Sequence, residues 1–369
     1  MMDFQTIASK FQVKGTFIFG EPFGCGHIND TYVLYFKREF EHPLRYIVQR
    51  INHEIFKDVP ALMKNIDAVT SFLAKKVTEA GGDPAREVLK IVKTTDEQLF
   101  YRGEDGSYYR TYVFVDDAVC LQRIEQPEHF YQSAKAFGRF QKLLSDFPAE
   151  TLTETIPDFH NTRARYEAFL AAVDADVAGR RASVQKEIDF VKARAQDTGV
   201  LLDLLASGQI PLRVTHNDTK LNNVLLDIAT GNGICVIDLD TVMPGLAHYD
   251  FGDSIRFGAS SAAEDETDLS KVFMRLDLFE LFCKGFLEEC GKNLTQTEID
   301  FLPFGAKLMT FECGMRFLTD YLNGDTYFKI HRPDHTLDRC RTQFTLVLDM
   351  EKKYDEMMSI VKRCQADCR

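Results

Sequence analysis

The sequence predicts an α+β protein of two lobes, a small sheet lobe over residues 1–116 and a larger, mainly helical lobe over residues 117–369. Short segments rich in β-branched and aromatic residues, parted by turn signals, fill the first region. Helical apolar spacing fills most of the second. It is interrupted from Leu212 to Asp240 by a stretch that alternates short apolar runs with a polar loop. The 369 residues suffice for two packed lobes, and 45% hydrophobic content without a low-complexity tract fits an ordered, enzyme-sized protein.

Residues 3–12 read as a short helix. Residues 17–36, F-I-F-G-E-P-F-G-C-G-H-I-N-D-T-Y-V-L-Y-F, read as strand, glycine-rich turn, strand. Gly24 and Gly26 lack Cβ atoms and would let the backbone aim N–H groups at phosphate oxygens; an ordinary hairpin turn asks for the same glycines. The turn opens onto a strand, so it is no dinucleotide fingerprint. L-R-Y-I-V-Q-R-I-N, residues 44–52, is the next strand, with Gln49 and Arg50 on opposite faces. Leu62, Ile66, Val69 and Leu73 space a helix over Pro60 to Lys76, with Asp67 on another face. Strands are expected at 87–92, 97–101 and 108–117, where Y-Y-R-T-Y-V-F-V-D-D closes the sheet and the lobe boundary follows at 116–119.

In the second lobe, helices are expected at 128–144 and 187–205. The segment 154–166, E-T-I-P-D-F-H-N-T-R-A-R-Y, leads into another helix, and its His160, Arg163 and Arg165 either line a cleft or form a helix-start cluster. Two long helices broken near Gly291 cover 265–322, and a last one covers 338–363. Glu312, Arg316 and Asp320 recur every four residues and share a helix face. Cys313, Met315, Phe317 and Leu318 mark the rest of that helix as buried, and charges on a buried helix more often line a site.

The central stretch carries the chemistry. Leu212 and Val214 lead into H-N-D-T-K-L-N-N, and apolar runs at 224–226 and 236–237 are joined by a turn at Gly231 and Gly233. This plants His216, Asp218, Lys220 and Asn223 on one loop and Asp238 at the end of a nearby strand. Moving a phosphoryl group needs a carboxylate to orient and deprotonate the acceptor hydroxyl, and oxygen ligands for the magnesium that neutralises the phosphates. Asp218 is the candidate base, and Asn223 and Asp238 are the candidate metal ligands. Lys220 is the candidate cation for the transferred phosphate, and His216 a brace. A solvated loop holding these residues by accident would leave the flanking strands and the second acid unexplained.

Composition excludes other classes. A net charge of -12 without a Lys/Arg cluster argues against a nucleic-acid partner. Nine cysteines lack paired spacing, and Cys364 and Cys368 have no accompanying His, so neither a disulfide framework nor a zinc site is expected. The N-terminus has no basic region followed by a long apolar run, and no stretch approaches about eighteen apolar residues. A soluble cytoplasmic protein with no membrane partner is the expectation.

H-N-D-T-K-L-N-N-V-L followed by I-D-L-D-T-V-M-P-G resembles the aminoglycoside phosphotransferase and choline kinase superfamily, whose two-lobe fold is similar to that of protein kinases. Within it the likeness is to the bacterial N-acetylhexosamine 1-kinases, densest at residues 22–33, 212–260 and 311–328. The resemblance implies ATP and magnesium as cofactors, and an N-acetylhexosamine as a small-molecule substrate phosphorylated at its anomeric hydroxyl. It implies that G-x-G-H-I-N-x-T-Y is the nucleotide loop, with Asn29 near the phosphates, and that backbone groups at Phe114 and Val115 meet the adenine edge. It also carries sugar contacts over to Arg316, in G-M-R-F, and to Tyr327 beyond that helix. Where protein kinases hold a strand lysine on the nucleotide phosphates, this chain has Gln49, so either its amide or another cation serves there. Asp250-Phe251-Gly252 mimics the kinase metal motif but lies beyond a Pro-Gly turn. Asp238 is therefore taken as the metal acid, Asp250 and Asp253 as braces of the catalytic loop or caps of a helix starting near Ser254, and Asp240 as a second metal ligand or a bystander. The rivals are another small-molecule kinase of the superfamily, acting on an aminoglycoside, choline or homoserine, and a nucleotide-binding regulatory pseudoenzyme, which only Gln49 favours. A cationic acceptor would be repelled by Arg316 and would lack a Trp cage.

Overall fold

After a short helix α1 (Phe4–Ala8), the strands β1 (Thr16–Pro22), β2 (Asp30–Lys37) and β3 (Leu44–Ile51) lay down the main sheet. The computed structural model describes residues 3–24, 28–38 and 42–368. It divides into two units, one of Met1–Val119, Thr151–Ile156 and Leu225–Met243, the other of Cys120–Glu150, Pro157–Val224 and Pro244–Arg369. The architecture is mixed α+β, with an antiparallel sheet in the first unit and helices dominating the second.

In the first unit, helices α2 (Val59–Glu79) and α3 (Pro84–Glu87) precede β4 (Ile91–Val92), β5 (Tyr101–Arg102) and β6 (Tyr108–Val113). The sheet order is β1-β2-β3-β6-β4, with β5 also paired to β6, and every pairing is antiparallel. Register places Gln49 of β3 opposite Arg110 of β6. Leu34, Phe36, Tyr46, Val48, Val92 and Tyr109 form one apolar cluster with Ile7 and Phe11 of the N-terminal segment. Asp58 caps α2 by accepting the Ala61 amide at 2.9 Å, and the helix buries Leu62, Ile66, Val69 and Leu73 as their spacing predicts. The strand expected over 87–92 shrinks to two residues, because Asp83 and Pro84 start a helical turn that takes in Glu87. The strand expected at 97–101 begins only at Tyr101, after Glu97 turns to a φ of 66°. Ala118–Cys120 (β7) joins the hairpin of β9 (Val224–Asp227) and β10 (Gly233–Val236) in a small sheet ordered β10-β9-β7. Asp227 forms that hairpin's turn by accepting the amides of Ala229 and Thr230, and Gly231 takes the left-handed backbone the turn needs.

The second unit opens with α4 (Pro127–Leu143) and α5 (Thr162–Ala175). The single helix expected over 187–205 is two, α6 (Gln185–Lys192) and α7 (Val200–Ala206), parted by a 3₁₀ turn over Ala195–Gly199. The short strands β8 (Arg213–Thr215) and β11 (Met243–Gly245) pair, and α8 (Ala247–Gly258) follows at once. The expected start near Ser254 is thus corrected to Ala247, seven residues earlier in the chain. Beyond lie α9 (Leu276–Cys290), α10 (Gln296–Asp300), α11 (Leu302–Leu322), α12 (His335–Lys352) and α13 (Tyr354–Asp367). Among the described residues no helix is long and apolar enough to cross a membrane.

Two close helix crossings fix this unit. On α4 and α9, a Cβ at Gly138 would stand 2.7 Å from the Phe286 carbonyl oxygen, and one at Gly285 would stand 2.8 Å from that of Tyr131. On α8 and α11, a Cβ at Gly252 would stand 2.4 Å from the Gly305 oxygen. Only glycine allows such approach, and it lets α8 be buried along nearly its whole length.

His248 on α8 is fully buried, with Nε2 3.0 Å from the Glu298 carbonyl and Nδ1 without a partner among the described residues. Burial lowers its pKa to about 4 from the usual 6.5. Below pH 6.5 the unfolded chain therefore takes up a proton that the folded one refuses until about pH 4. Stability is lost across that window, by about 3 kcal/mol at its lower end. Urea titrations at stepped pH should show a loss of this size on acidification that His248→Gln, whatever its own stability, lacks; parallel pH dependences in both proteins would refute it.

Candidate active site

The candidate residues fall in both units, and the loop from His216 to Asn223 belongs to the second. β8 delivers Thr215, the loop turns through His216 to Lys220, and a 3₁₀ turn over Leu221–Asn223 ends it. Two carboxylates of the buried helix α8 hold its backbone. Asp250 accepts the amide of His216 at 3.0 Å and that of Asn217 at 2.8 Å, and Gln141 of α4 donates to it at 2.7 Å. Asp253 accepts the Thr219 amide at 3.1 Å and is itself held by Arg256. Thr219 Oγ1 donates to the Asp250 carbonyl at 2.6 Å, and Ser254 donates to the Thr219 carbonyl at 2.9 Å. Both acids lie inside α8, so they brace the loop and cap nothing. Asn217 adopts a left-handed φ of 65°, a conformation that Asn tolerates and these bonds retain.

His216 is fully buried against the edges of Phe137 and Phe140, and its Nδ1 accepts the Asp218 amide at 3.3 Å. Asp218 Oδ1 lies 2.6 Å from Lys220 Nζ, with the two side chains 27% and 36% exposed, so the carboxylate is within reach of a ligand. Asn223 Nδ2 donates to the Asp218 carbonyl at 2.7 Å and to its Oδ2 at 3.2 Å. Burial alone would raise the Asp218 pKa, but the Lys220 ammonium, His216 and the Asn223 amide hold it below the usual carboxylate value. Lys220 is held above its ordinary value because Asp218 and Asp253 outweigh its own burial. Burial pushes Asp250 the other way, upward, against the donors that face it.

The ladder on α11 forms a second feature of this unit. Glu312 is buried; it meets His160 Nδ1 at 2.8 Å and accepts the Thr162 hydroxyl at 2.5 Å. His160 Nε2 reaches the Asn217 carbonyl of the catalytic loop at 3.3 Å. Asp320 accepts the amides of Thr326, Tyr327 and Phe328 at 2.8–3.0 Å, which sets the loop after the helix. Between these rungs, the Arg316 guanidinium lies 5.4–5.9 Å from the rings of Phe159, Tyr327 and Phe328 and forms no ion pair among the described residues. Arg165 donates twice to the Phe159 carbonyl, at 3.0 and 3.3 Å, and its pKa is lowered by burial and by Arg316. Of the cluster at 160–165, His160 and Arg165 thus turn inward, while Arg163 is exposed and pairs with Asp203. Tyr327 is 63% exposed.

The remaining candidates belong to the first unit. Gly24 has a φ of +77° with nothing near the place a Cβ would take, so its turn is open on that side. Gly26 lies outside the described residues. Phe114 packs its ring against Phe23 and under the Arg45 guanidinium, and its amide donates to the Arg45 carbonyl; Val115 is half-buried. Gln49 uses both ends of its amide, accepting from Arg110 Nε at 2.9 Å and donating to Thr31 Oγ1 at 2.9 Å. Asn29 likewise donates to Asp240 at 2.5 Å and accepts the Asn52 amide at 2.9 Å. Asp238 is exposed, with a left-handed φ of 60°, whereas Asp240, two residues on, is buried against Arg110. Asn65 of α2 ties this loop down by donating to the Val242 carbonyl.

Asn223 in the second unit and Asp238 in the first carry the kinds of oxygen a hard divalent cation prefers, a side-chain carbonyl and an exposed carboxylate. Arg110, buried in a run of tyrosines on β6, escaped the sequence reading, although an Arg flanked by strand aromatics is itself a sign of a buried ion pair. Removing one partner of such a pair costs about 3–5 kcal/mol.

Residues 20–273 match the family model described as phosphotransferase enzyme family. Solved structures share the fold at low identity. An aminoglycoside phosphotransferase from Alicyclobacillus acidocaldarius subsp. acidocaldarius DSM 446 superposes with a TM-score of 0.62 at 14% identity, covering 99% of this chain and 97% of that one. A microcompartment-associated aminopropanol kinase gives 0.55 at 15% identity over 96% and 97% of the two chains. The amicoumacin kinase hAmiN, in complex with AMP-PNP, Ca2+ and its ligand, gives 0.52 at 13% identity over 90% and 88%.

In Asp250→Asn an amide NH2 replaces one of the two oxygens that the loop amides donate to. Steady-state kinetics should show kcat down by roughly 100-fold, the order expected of an ångström-scale displacement of a catalytic group, with little change in the KM for nucleotide. An unchanged kcat would mean that the loop holds its shape without Asp250.

Proposed function

We propose that this chain, which belongs to the phosphotransferase enzyme family, is a small-molecule kinase that moves the γ-phosphoryl group of ATP to the anomeric hydroxyl of an N-acetylhexosamine. The products are the sugar 1-phosphate and ADP. Residues 1–116 serve the nucleotide in this reading, and residues 117–369 carry the catalytic loop and the sugar site. The observation that carries the chemistry is Asp218, an accessible carboxylate kept ionised by Lys220 on a loop whose backbone is fastened at three amides, those of His216, Asn217 and Thr219, by the α8 side chains Asp250 and Asp253.

Asp218 orients the acceptor hydroxyl and takes its proton as the oxygen attacks phosphorus. Lys220 leaves Asp218 Oδ1 to meet the transferred phosphoryl oxygens, so the carboxylate is released as the phosphate is gripped. Asn223 and Asp238 are the protein's oxygen ligands for magnesium, which when bound neutralises charge on the phosphates. The turn at Gly24 and Gly26 and the backbone at Phe114 and Val115 receive the nucleotide, while Asn29 and Gln49 shape that site through the side chains they hold.

For the acceptor, Arg316 and Tyr327 form the sugar contacts. An Arg316 guanidinium with no ion pair among the described residues, and with three aromatic rings around it, supports a neutral acceptor rich in oxygen lone pairs. The structural neighbours named for aminoglycoside and aminopropanol raise a second reading, in which the acceptor is a cation and stacks on the same rings. The guanidinium already occupies those faces and would repel it.

ADP release should be followed with magnesium and ATP across free N-acetylhexosamines, neutral hexoses, aminoglycosides, choline and homoserine, each sugar also offered as its methyl glycoside. Turnover of free N-acetylhexosamines that vanishes on methylation is the expected result. Turnover that survives methylation, or that appears only with a cation, refutes the sugar 1-kinase assignment. Asp218→Asn should lose at least about 1,000-fold in kcat while binding nucleotide nearly as before, since a base acts on the chemical step.

A further inference from the structure

Asp240 lies two residues beyond Asp238, a spacing that invites a role as second metal ligand, yet its oxygens are already engaged. The carboxylate is 4% exposed, and three N–H groups meet it: Arg110 Nη1 on Oδ1, Arg110 Nη2 on Oδ2 at 2.8 Å, and Asn29 Nδ2 on Oδ2 at 2.5 Å. The Thr155 hydroxyl adds a bond to the Asp240 carbonyl at 3.3 Å. Arg110 is 1% exposed and is aimed by Gln49, its cross-strand partner, whose Oε1 accepts Nε at 2.9 Å. Asn29 is aimed by the Asn52 amide. A bidentate guanidinium plus a third donor takes three of this carboxylate's roughly four acceptor positions and fixes its plane, which leaves little of it for a cation.

The same contacts explain Gln49. A cation at that position would stand beside the buried Arg110 and repel it, whereas a neutral amide can accept from Arg110 and donate to Thr31 at once. We infer that Arg110 supplies, from β6, the ordering charge that β3 lacks at Gln49, and that Arg110 and Asp240 form a clamp which sets the Asp238 loop and, through Asn29, the segment that follows the glycine turn. In this clamp Asp240 is a positioning residue and Asp238 alone of the two ligates metal. The inference rests on the phosphotransferase reading but not on the identity of the acceptor.

The test uses Mn2+ and a non-hydrolysable ATP analogue with the full chain, reading bound Mn2+ per chain by electron paramagnetic resonance and nucleotide Kd by calorimetry, with circular dichroism to verify folding. Asp240→Asn should bind as many Mn2+ per chain as the unaltered protein, while the nucleotide Kd rises roughly tenfold or more, the range for loss of an outer-sphere support. Arg110→Met should show the same rise and Arg110→Lys should recover part of it. Should the buried charge left by Arg110→Met prevent folding, Asn29→Ala removes only one donor and is expected to raise Kd severalfold with the Mn2+ count intact. Loss of one Mn2+ per chain in Asp240→Asn would make Asp240 a ligand and overturn the clamp. So would a nucleotide Kd within twofold of the unaltered value in Asp240→Asn or in Asn29→Ala. If the unaltered chain binds no Mn2+–nucleotide, the phosphotransferase reading falls and this inference with it.

Discussion

The loop from His216 to Asn223, proposed to be the catalytic one, depends on one buried carboxylate, Asp250. A loop that projects a base must leave its own backbone N–H groups unpaired by regular structure, and unpaired buried amides are costly. Asp250 meets two of them at consecutive positions, His216 and Asn217, from a buried helix packed closely on α11. The arrangement is reciprocal. A lone carboxylate in this setting would carry a desolvation penalty of several kcal/mol, and the two amides with the Gln141 side chain offset part of it. Gln141 also donates to the Val214 carbonyl, so the strand leading into the loop and the acid holding it share one amide group.

The acids of the chain then divide by environment. Asp250, Asp253, Glu312, Asp320 and Asp240 are buried and spend their oxygens on backbone amides or fixed side chains. Asp218 and Asp238 keep solvent contact. Structural carboxylates are turned inward onto their donors, and the two proposed for chemistry are the ones that keep an accessible surface. On the α11 ladder, Glu312 fixes the segment before α5, Asp320 fixes the loop after α11, and Arg316 between them forms no ion pair among the described residues.

The fold class, the strand succession β1 to β3, helix α2 and the loop from His216 to Asn223 were legible because period, turn residues and residue chemistry agree there. Other elements were not. Helix α8 was placed too late: its first two turns carry Gly252, which the approach of α11 demands, a fact of tertiary packing that no local pattern shows. The strand expected at 87–92 gave way to a capped helical turn whose signal, Asp83-Pro84, lies just outside it. Arg110 and Asp240 are 130 residues apart, so no local pattern could pair them. Glu312, Arg316 and Asp320 were legible as one face of a buried helix, but the partners of the two acids, His160 and the amides of 326–328, belong to segments with no periodicity to read.

The central claim is that Asp250 serves catalysis through the loop that presents Asp218. The measurement that tests it most directly is a double-mutant cycle on kcat, comparing Asp218→Asn, Asp250→Asn and the pair. If Asp250 acts only by placing Asp218, the double variant is no slower than Asp218→Asn alone, because a loop without its base has nothing left to misplace. A double variant slowed by the product of the two single effects would contradict the account and give Asp250 a role of its own.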